Sequence, residues 1–191
     1  MQGQEDPATL RVLGFAGSLR QDSLNRALLR AAQELAPAGM EIHIFDLTPI
    51  PFFNVDVEAQ GDPEPVVAFK QAIRDADALL IATPEYNLGM PGVLKNAIDW
   101  ASRPPRNAPL RDKPIGIMGA TPGMGGTIRA QMQVRQAFIF TQSYALLQPE
   151  ILISRAHDKF DEEGRLADES TRKYLGRMLE ALRDWTHRLA R

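Results

Sequence analysis

Leu10-Arg11-Val12-Leu13-Gly14-Phe15-Ala16-Gly17-Ser18-Leu19-Arg20-Gln21-Asp22-Ser23-Leu24-Asn25-Arg26 joins an apolar run to a helical pattern through a short loop of hydroxyls and one arginine. An apolar run without polar alternation suits a strand buried on both faces. Leu24, Ala27, Leu28, Ala31 and Leu35 then recur at helical spacing, with Asp22 or Ser23 as the N-cap. A strand that enters a helix this way sets unpaired N–H groups and about half a positive charge behind Ser18, Arg20, Ser23 and Asn25. That construction can hold a phosphate. It is not the Gly-x-Gly-x-x-Gly dinucleotide turn, because position 16 is alanine and no third glycine opens the helix. Nor is it a Walker A loop, which needs Gly-Lys-Ser/Thr. An ordinary capped strand-to-helix turn would share its outline, so the weight rests on what the rest of the chain places beside it.

Four more apolar runs suit buried strands: Glu41–Asp46, Ala78–Thr83, Ile115–Ala120 and Leu146–Ser154. Helical stripes alternate with them, at Val66/Phe69/Ile73/Ala76, Leu94/Ala97/Ile98/Ala101, Ala130/Val134/Ala137/Phe138/Thr141 and Leu175/Met178/Leu179/Leu182/Trp185/Leu189. Strict alternation implies a parallel sheet covered on both faces. The expectation is an α/β fold: a flavodoxin-like, doubly wound, five-stranded parallel sheet of order 2-1-3-4-5. Residues 1–9 read as a loose polar tail, and 10–191 as one domain, undivided by any linker or repeat.

Composition narrows the function. The chain has 191 residues, 44% hydrophobic and 24% charged, with a formal net charge of −2. Its basic residues form no run, which argues against nucleic acid or an anionic membrane as partner. No apolar stretch reaches the roughly 20 residues of a membrane span. The first nine residues, with Glu5 and Asp6, resemble neither a signal nor a transit peptide. The absence of cysteine excludes disulfides, thiolate metal sites and cysteine nucleophiles, and is compatible with a cytoplasmic location.

In an open doubly wound sheet the ligand lies outside the carboxyl ends of the strands, at the point where strand order reverses. For order 2-1-3-4-5 that selects the loops after strands 1, 3 and 4. They are residues 17–25, Thr83-Pro84-Glu85-Tyr86-Asn87-Leu88-Gly89-Met90-Pro91, and Gly119-Ala120-Thr121-Pro122-Gly123-Met124-Gly125-Gly126-Thr127. These are also the three loops of unusual composition. Flavin mononucleotide (FMN) suits them, with a phosphate at one end and a flat hydrogen-bonding ring at the other. Ser18, Arg20, Ser23 and Asn25 offer donors to the phosphate, and glycines allow backbone to approach the ring. Tyr86 can border the ring and touch a substrate, whereas Glu85 reads as a carboxylate that braces its loop. No protein group is expected to carry the chemistry itself. The stretch 47–61, with Ile50, Pro51, Phe52 and Phe53, can pack as a lid or against a neighbour.

Gly-Ser-Leu-Arg-x-x-Ser-x-Asn at 17–25, Pro84-Glu85-Tyr86-Asn87, Pro91-Gly92-Val93-Leu94-Lys95-Asn96-Ala97-Ile98-Asp99-Trp100 and the glycine loop at 119–126 together resemble the NAD(P)H-dependent FMN reductase family. The closest likeness is to its quinone and chromate reductase branch, over about residues 10–155. The resemblance implies non-covalent FMN and hydride delivery from NAD(P)H. It further implies ping-pong transfer of two electrons to quinones or similar acceptors, with chromate and azo compounds as possible alternatives. By the same resemblance Ser18, Arg20, Ser23 and Asn25 would bind the phosphate, and Pro84, Glu85, Tyr86 and Asn87 would contact the ring. Thr121, Gly123, Gly125 and Gly126 would close over the pyrimidine edge. The other class of reading is a flavodoxin-like electron carrier or flavin-binding regulator without NAD(P)H turnover.

The branch's tetramer contact uses an arginine, a tyrosine and a glutamate; Arg129 and Glu150 match two of them, but Met132 stands at the tyrosine position. Ile128, Met132 and Ile139 fall outside the core stripe of their helix and suggest a homodimer, with a tetramer as the further possibility. His43, His157 and His187 have no spacing partners, and Asp161-Glu162-Glu163-Gly164 lacks the alternating oxygen ligands of a calcium loop, so no metal is expected.

Overall fold

A computed structural model describes residues 9–190; of the expected tail, residues 1–8 lie outside the described part. The described residues form six strands and six α-helices, in the order β1 Leu10–Ala16, α1 Leu24–Glu34, β2 Met40–Phe45, α2 Val55–Glu58, α3 Glu64–Asp75, β3 Ala78–Ala82, α4 Gly92–Ala101, β4 Pro114–Ala120, α5 Ile128–Thr141, β5 Tyr144–Ala145, β6 Ile151–Ile153 and α6 Glu169–Leu189. The sheet runs β2-β1-β3-β4-β5, with β6 also on β4, and all these strands pair in parallel. This is the expected doubly wound order with one strand more.

Of the expected strand Leu146–Ser154 only Ile151–Ile153 forms as β6, and Tyr144–Ala145, ahead of that stretch, makes the additional strand β5. Ala145 pairs with Ile115 and Ile151 with Met118, so six steps along this chain match three along β4. Residues 146–150 loop out between them. Pro149 lies in that loop and has no N–H to give the ladder, so pairing is interrupted where it stands.

Two apolar layers hold the sheet. On one face Val12, Leu80 and Met118 pack with Leu28 and Leu29 of α1 and Met178, Leu179 and Leu182 of α6. On the other, Phe15, Leu79, Ile81 and Ile117 pack with Phe69 and Ile73 of α3, Leu94 and Ile98 of α4, and Val134 and Phe138 of α5. Local signals set the helix ends. Ser23 Oγ caps α1, accepting from the N–H groups of Asn25 and Arg26. Pro65 sits in the first turn of α3, where a missing N–H costs nothing. Asp168 caps α6, and hydrogen bonds from the Thr171 hydroxyl and N–H hold its carboxyl down at about 2.

The stretch 47–61 packs on its own chain. Pro51 O accepts from Asn96 Nδ2 and Trp100 Nε1, both at 2.8 Å, and Phe53 N–H donates to Asn96 Oδ1 at 2.7 Å. The Phe53 ring meets Trp100 edge-on, and Arg103 forks onto Glu58. None of this stretch lines the cavity described below. Among the described residues, no helix is long and apolar enough to cross a membrane.

Candidate functional site

The carboxyl ends of β1, β3 and β4 open into a cavity of about 240 Å³. Ser18, Arg20, Ser23 and Asn25 line it from the first loop, Pro84, Glu85 and Tyr86 from the second, and Ala120, Thr121 and Pro122 from the third. All three loops singled out in the sequence therefore reach one place, because β1, β3 and β4 are adjacent strands pointing the same way.

The phosphate-type donors stand together at the start of α1. Ser23 Oγ already accepts from two helix N–H groups, which leaves its O–H to donate into the cavity. Ser18 is buried on the cavity wall. Arg20 is steadied by a 2.7 Å bond from one guanidinium nitrogen to Asp22 O, within its own loop. Asn25 has a different commitment. Its Nδ2 donates to Ala120 O and its Oδ1 accepts from Ala120 N–H, both at 2.9 Å, so the amide ties the first loop to the end of β4.

Glu85 has the bracing role read from the sequence, through a contact that sequence could not show. The N-cap of α5, Thr127, is left-handed (φ 66°) and makes no side-chain cap. Glu85 supplies the cap from another loop: Oε2 accepts from Arg129 N–H at 2.9 Å and Ala130 N–H at 3.3 Å, and Oε1 meets Arg129 Nη1 at 3.3 Å. A carboxylate suits the positive end of a helix. The second and third loops are thereby clasped together.

Gln133, which the sequence reading missed, adds a further tie: its Oε1 accepts from Met90 N–H at 2.9 Å. A glutamine on a helix face carries no local mark of such a role. Asn96 and Trp100, part of the quoted Pro91–Trp100 motif, hold the stretch 47–61.

Asn87, Gly123, Gly125 and Gly126 stand off the cavity wall. Asn87 occupies a hairpin tip. The glycine loop is stitched to the segment after β6, with Arg155 N–H on Gly123 O and Ala156 N–H on Thr121 O. Gly126 has φ 58°, and a Cβ there would lie 2.9 Å from Leu152 O. Its glycine is required by backbone conformation and close packing. Thr121 alone of that loop's four candidates lines the cavity.

Arg129 and Glu150 both find partners within the chain, Glu85 and Arg135, the latter at 3.8 Å. The outer face of α5 is apolar and open: Met132 is 65% exposed and Ile139 79%. Among the described residues no group of three or more His, Asp or Glu is placed to hold a metal ion.

The family model for NADPH-dependent FMN reductases matches residues 10–158. An NAD(P)H-dependent FMN reductase of Pseudomonas aeruginosa is 50% identical over 180 residues, covering 94% of this chain and 97% of its own. A 2-hydroxy-1,4-benzoquinone reductase of a Burkholderia species is 40% identical over 176 residues, covering 92% and 96%. Among solved structures, a flavoenzyme NAD(P)H:(acceptor) oxidoreductase from Paracoccus denitrificans superimposes with a TM-score of 0.86 at 35% identity, covering 94% of this chain and 98% of that one.

Proposed function

The chain belongs to the NADPH-dependent FMN reductase family, and from that premise we propose that it is an FMN-dependent oxidoreductase that reduces quinones with NAD(P)H. The balance is simple: NAD(P)H gives up a hydride and leaves as NAD(P)⁺, and the quinone gains the two electrons and the proton of that hydride, takes one further proton from solvent, and becomes the hydroquinone. The observation that carries this reading is the meeting of three loops in one cavity, with hydroxyls and a guanidinium at its α1 end and Tyr86 at its rim.

The donor set fits FMN. Ser18, Ser23 and Arg20 would hold the phosphate through neutral and charge-assisted bonds, beside the positive end of α1. Asn25 would keep that loop in register with β4. Pro84, Glu85, Tyr86 and Asn87 belong to the ring side, Glu85 by fixing loop spacing and Asn87 by forming the turn. Thr121 would border the ring, and Gly123, Gly125 and Gly126 would shape the loop behind it. The bound flavin supplies the centre that accepts hydride and passes on both electrons. With the flavin in this one cavity, NAD(P)H and the quinone would reach it in turn, which is the ping-pong order. We take residues 10–191 as one FMN-binding domain, working in the cytoplasm.

The direct test is colour. The purified protein is expected to be yellow with about one FMN per chain, to bleach under anaerobic NADPH, and to recover on adding a quinone. Flavin that binds but stays oxidised would identify a carrier or regulator. Arg20→Ala is expected to weaken FMN by about 1.5–3 kcal/mol, roughly 10- to 100-fold, through loss of a charged donor. Equal affinity in the variant, measured by fluorescence titration, would remove Arg20 from the phosphate site.

The exposed face of α5 supports a homodimer. Met132, Ile139 and Phe140 (78% exposed) would leave water against a second copy, at roughly 25 cal/mol per Å². Because Arg129 is already engaged by Glu85, a tetramer through Arg129 and Glu150 would have to reuse committed groups. Met132→Glu is expected to shift the protein toward monomer in sedimentation. A parent protein that sediments as an active monomer would end the dimer assignment.

A further inference from the structure

Leu88 stands where a chain ordinarily puts glycine. Tyr86 and Gly89 exchange both backbone hydrogen bonds at 3.0 Å, so Asn87 and Leu88 are the central residues of a two-residue hairpin turn. Their φ angles of 51° and 64° put both in the left-handed region. Asparagine tolerates that region through its short polar side chain, but a leucine there crowds its own backbone. Packing within the chain gives nothing in return, since Leu88 is 63% exposed. The turn is also denied an easier shape. Glu85 fixes its approach to α5, Met90 N–H is held by Gln133, and a Cβ on Gly89 would lie 2.7 Å from Gln133 Oε1. Backbone strain persists only where surroundings over-determine it, and such places cluster at ligand clamps.

We propose that Leu88 is a specificity-determining residue: with Tyr86 it forms a rigid apolar rim against which the ring of a quinone acceptor docks. This rests on the quinone reductase reading above. Tyr86 lines the cavity and is 52% exposed, and Leu88, off the cavity wall itself, adds exposed apolar surface two residues on in the same turn. The opposite end of the cavity is made of Ser18, Arg20 and Ser23, groups suited to a phosphate and not to an uncharged aromatic ring. A rim already fixed in shape loses little freedom when the acceptor arrives. NAD(P)H brings its own charged groups and depends on this rim much less.

The test compares the parent with Leu88→Gly, Leu88→Asn and Leu88→Met. In the Gly and Asn variants, KM for 1,4-naphthoquinone is expected to rise about 5- to 20-fold, within the range set by loss of a few apolar groups from a pocket. The dissociation constant of 1-naphthol, a ring that takes no electrons, should rise in parallel when titrated against the flavin absorbance. FMN content, single-turnover bleaching by NADPH, and KM for ferricyanide should each stay within about 2-fold. Leu88→Met should restore the parent values, and Leu88→Gly, relieved of strain, should melt no lower than the parent. Unchanged naphthoquinone KM and naphthol affinity in the Gly and Asn variants would overturn the proposal. So would an equal shift for ferricyanide, which would mark a general disturbance of the flavin, or a move toward monomer accompanying the KM change, which would mark a subunit contact. A parent that never bleaches with NADPH yet binds naphthol Leu88-dependently would overturn the enzymatic reading and leave the apolar rim standing.

Discussion

Asn25→Ala is expected to lower stability by about 2–4 kcal/mol and to weaken FMN at the same time. The side chain donates to Ala120 O and accepts from Ala120 N–H, and Ala120 is 2% exposed. Truncation leaves two buried backbone groups without partners, at roughly 1–3 kcal/mol each, partly relieved by water from the adjoining cavity. For a chain of this size that corresponds to a melting point lower by roughly 5–15 °C. The flavin consequence follows from geometry: the phosphate loop loses its register against β4, so Ser18, Arg20 and Ser23 no longer converge. Calorimetry together with FMN titration checks both effects. Asn25→Asp separates them further, since a carboxylate can accept from Ala120 N–H but cannot donate to Ala120 O, and it faces an incoming phosphate with like charge. A variant Asn25→Ala with parental melting and parental FMN affinity would show that the tie is dispensable.

Glu85→Ala carries the second large effect. It removes two N–H···carboxylate bonds from the start of α5 and detaches the loop 83–91 from the loop 119–127. Charged hydrogen bonds of this kind contribute about 1.5–3 kcal/mol in sum, once the two are treated as one coupled cap. FMN is expected to dissociate faster, because the two loops on the ring side lose their fixed spacing. Glu85→Gln retains an oxygen acceptor and should recover about half of the loss. Arg129→Ala should do little, because its guanidinium is 55% exposed and an exposed ion pair contributes little. If Arg129→Ala proved as damaging as Glu85→Ala, the ion pair and not the helix cap would be the working contact. Melting curves and stopped-flow FMN release across the three variants decide between them.

Much of this molecule was legible in the order of its residues. Apolar runs without polar alternation and helical stripes between them gave the parallel sheet, because each records how its own segment is buried. Ser23 as the cap of α1 was equally local: donor and acceptor lie two and three residues apart. From the sheet order alone, three loops were assigned to one end, and eight of the twelve candidate residues line the cavity there. Residue type alone is ambiguous where one side chain can serve either of two ends. Asn25 is a phosphate donor by composition, and only the fold brings Ala120, 95 residues away, against its amide. Glu85 could be recognised as a brace, but its partners are 44 and 45 residues distant. Gly126 looked like a ring-contacting glycine, and it is glycine because Leu152 lies against it. The apolar pattern runs on through Leu146 and Leu147, where no strand pairing exists, so it places the strand start too early for β6 and passes over the two-residue β5. Periodicity reports which side of a segment leaves water. Which buried acceptor a given amide or carboxylate meets is decided only when distant strands end side by side, since a hydrogen bond is specified by a distance and an angle that no single segment contains.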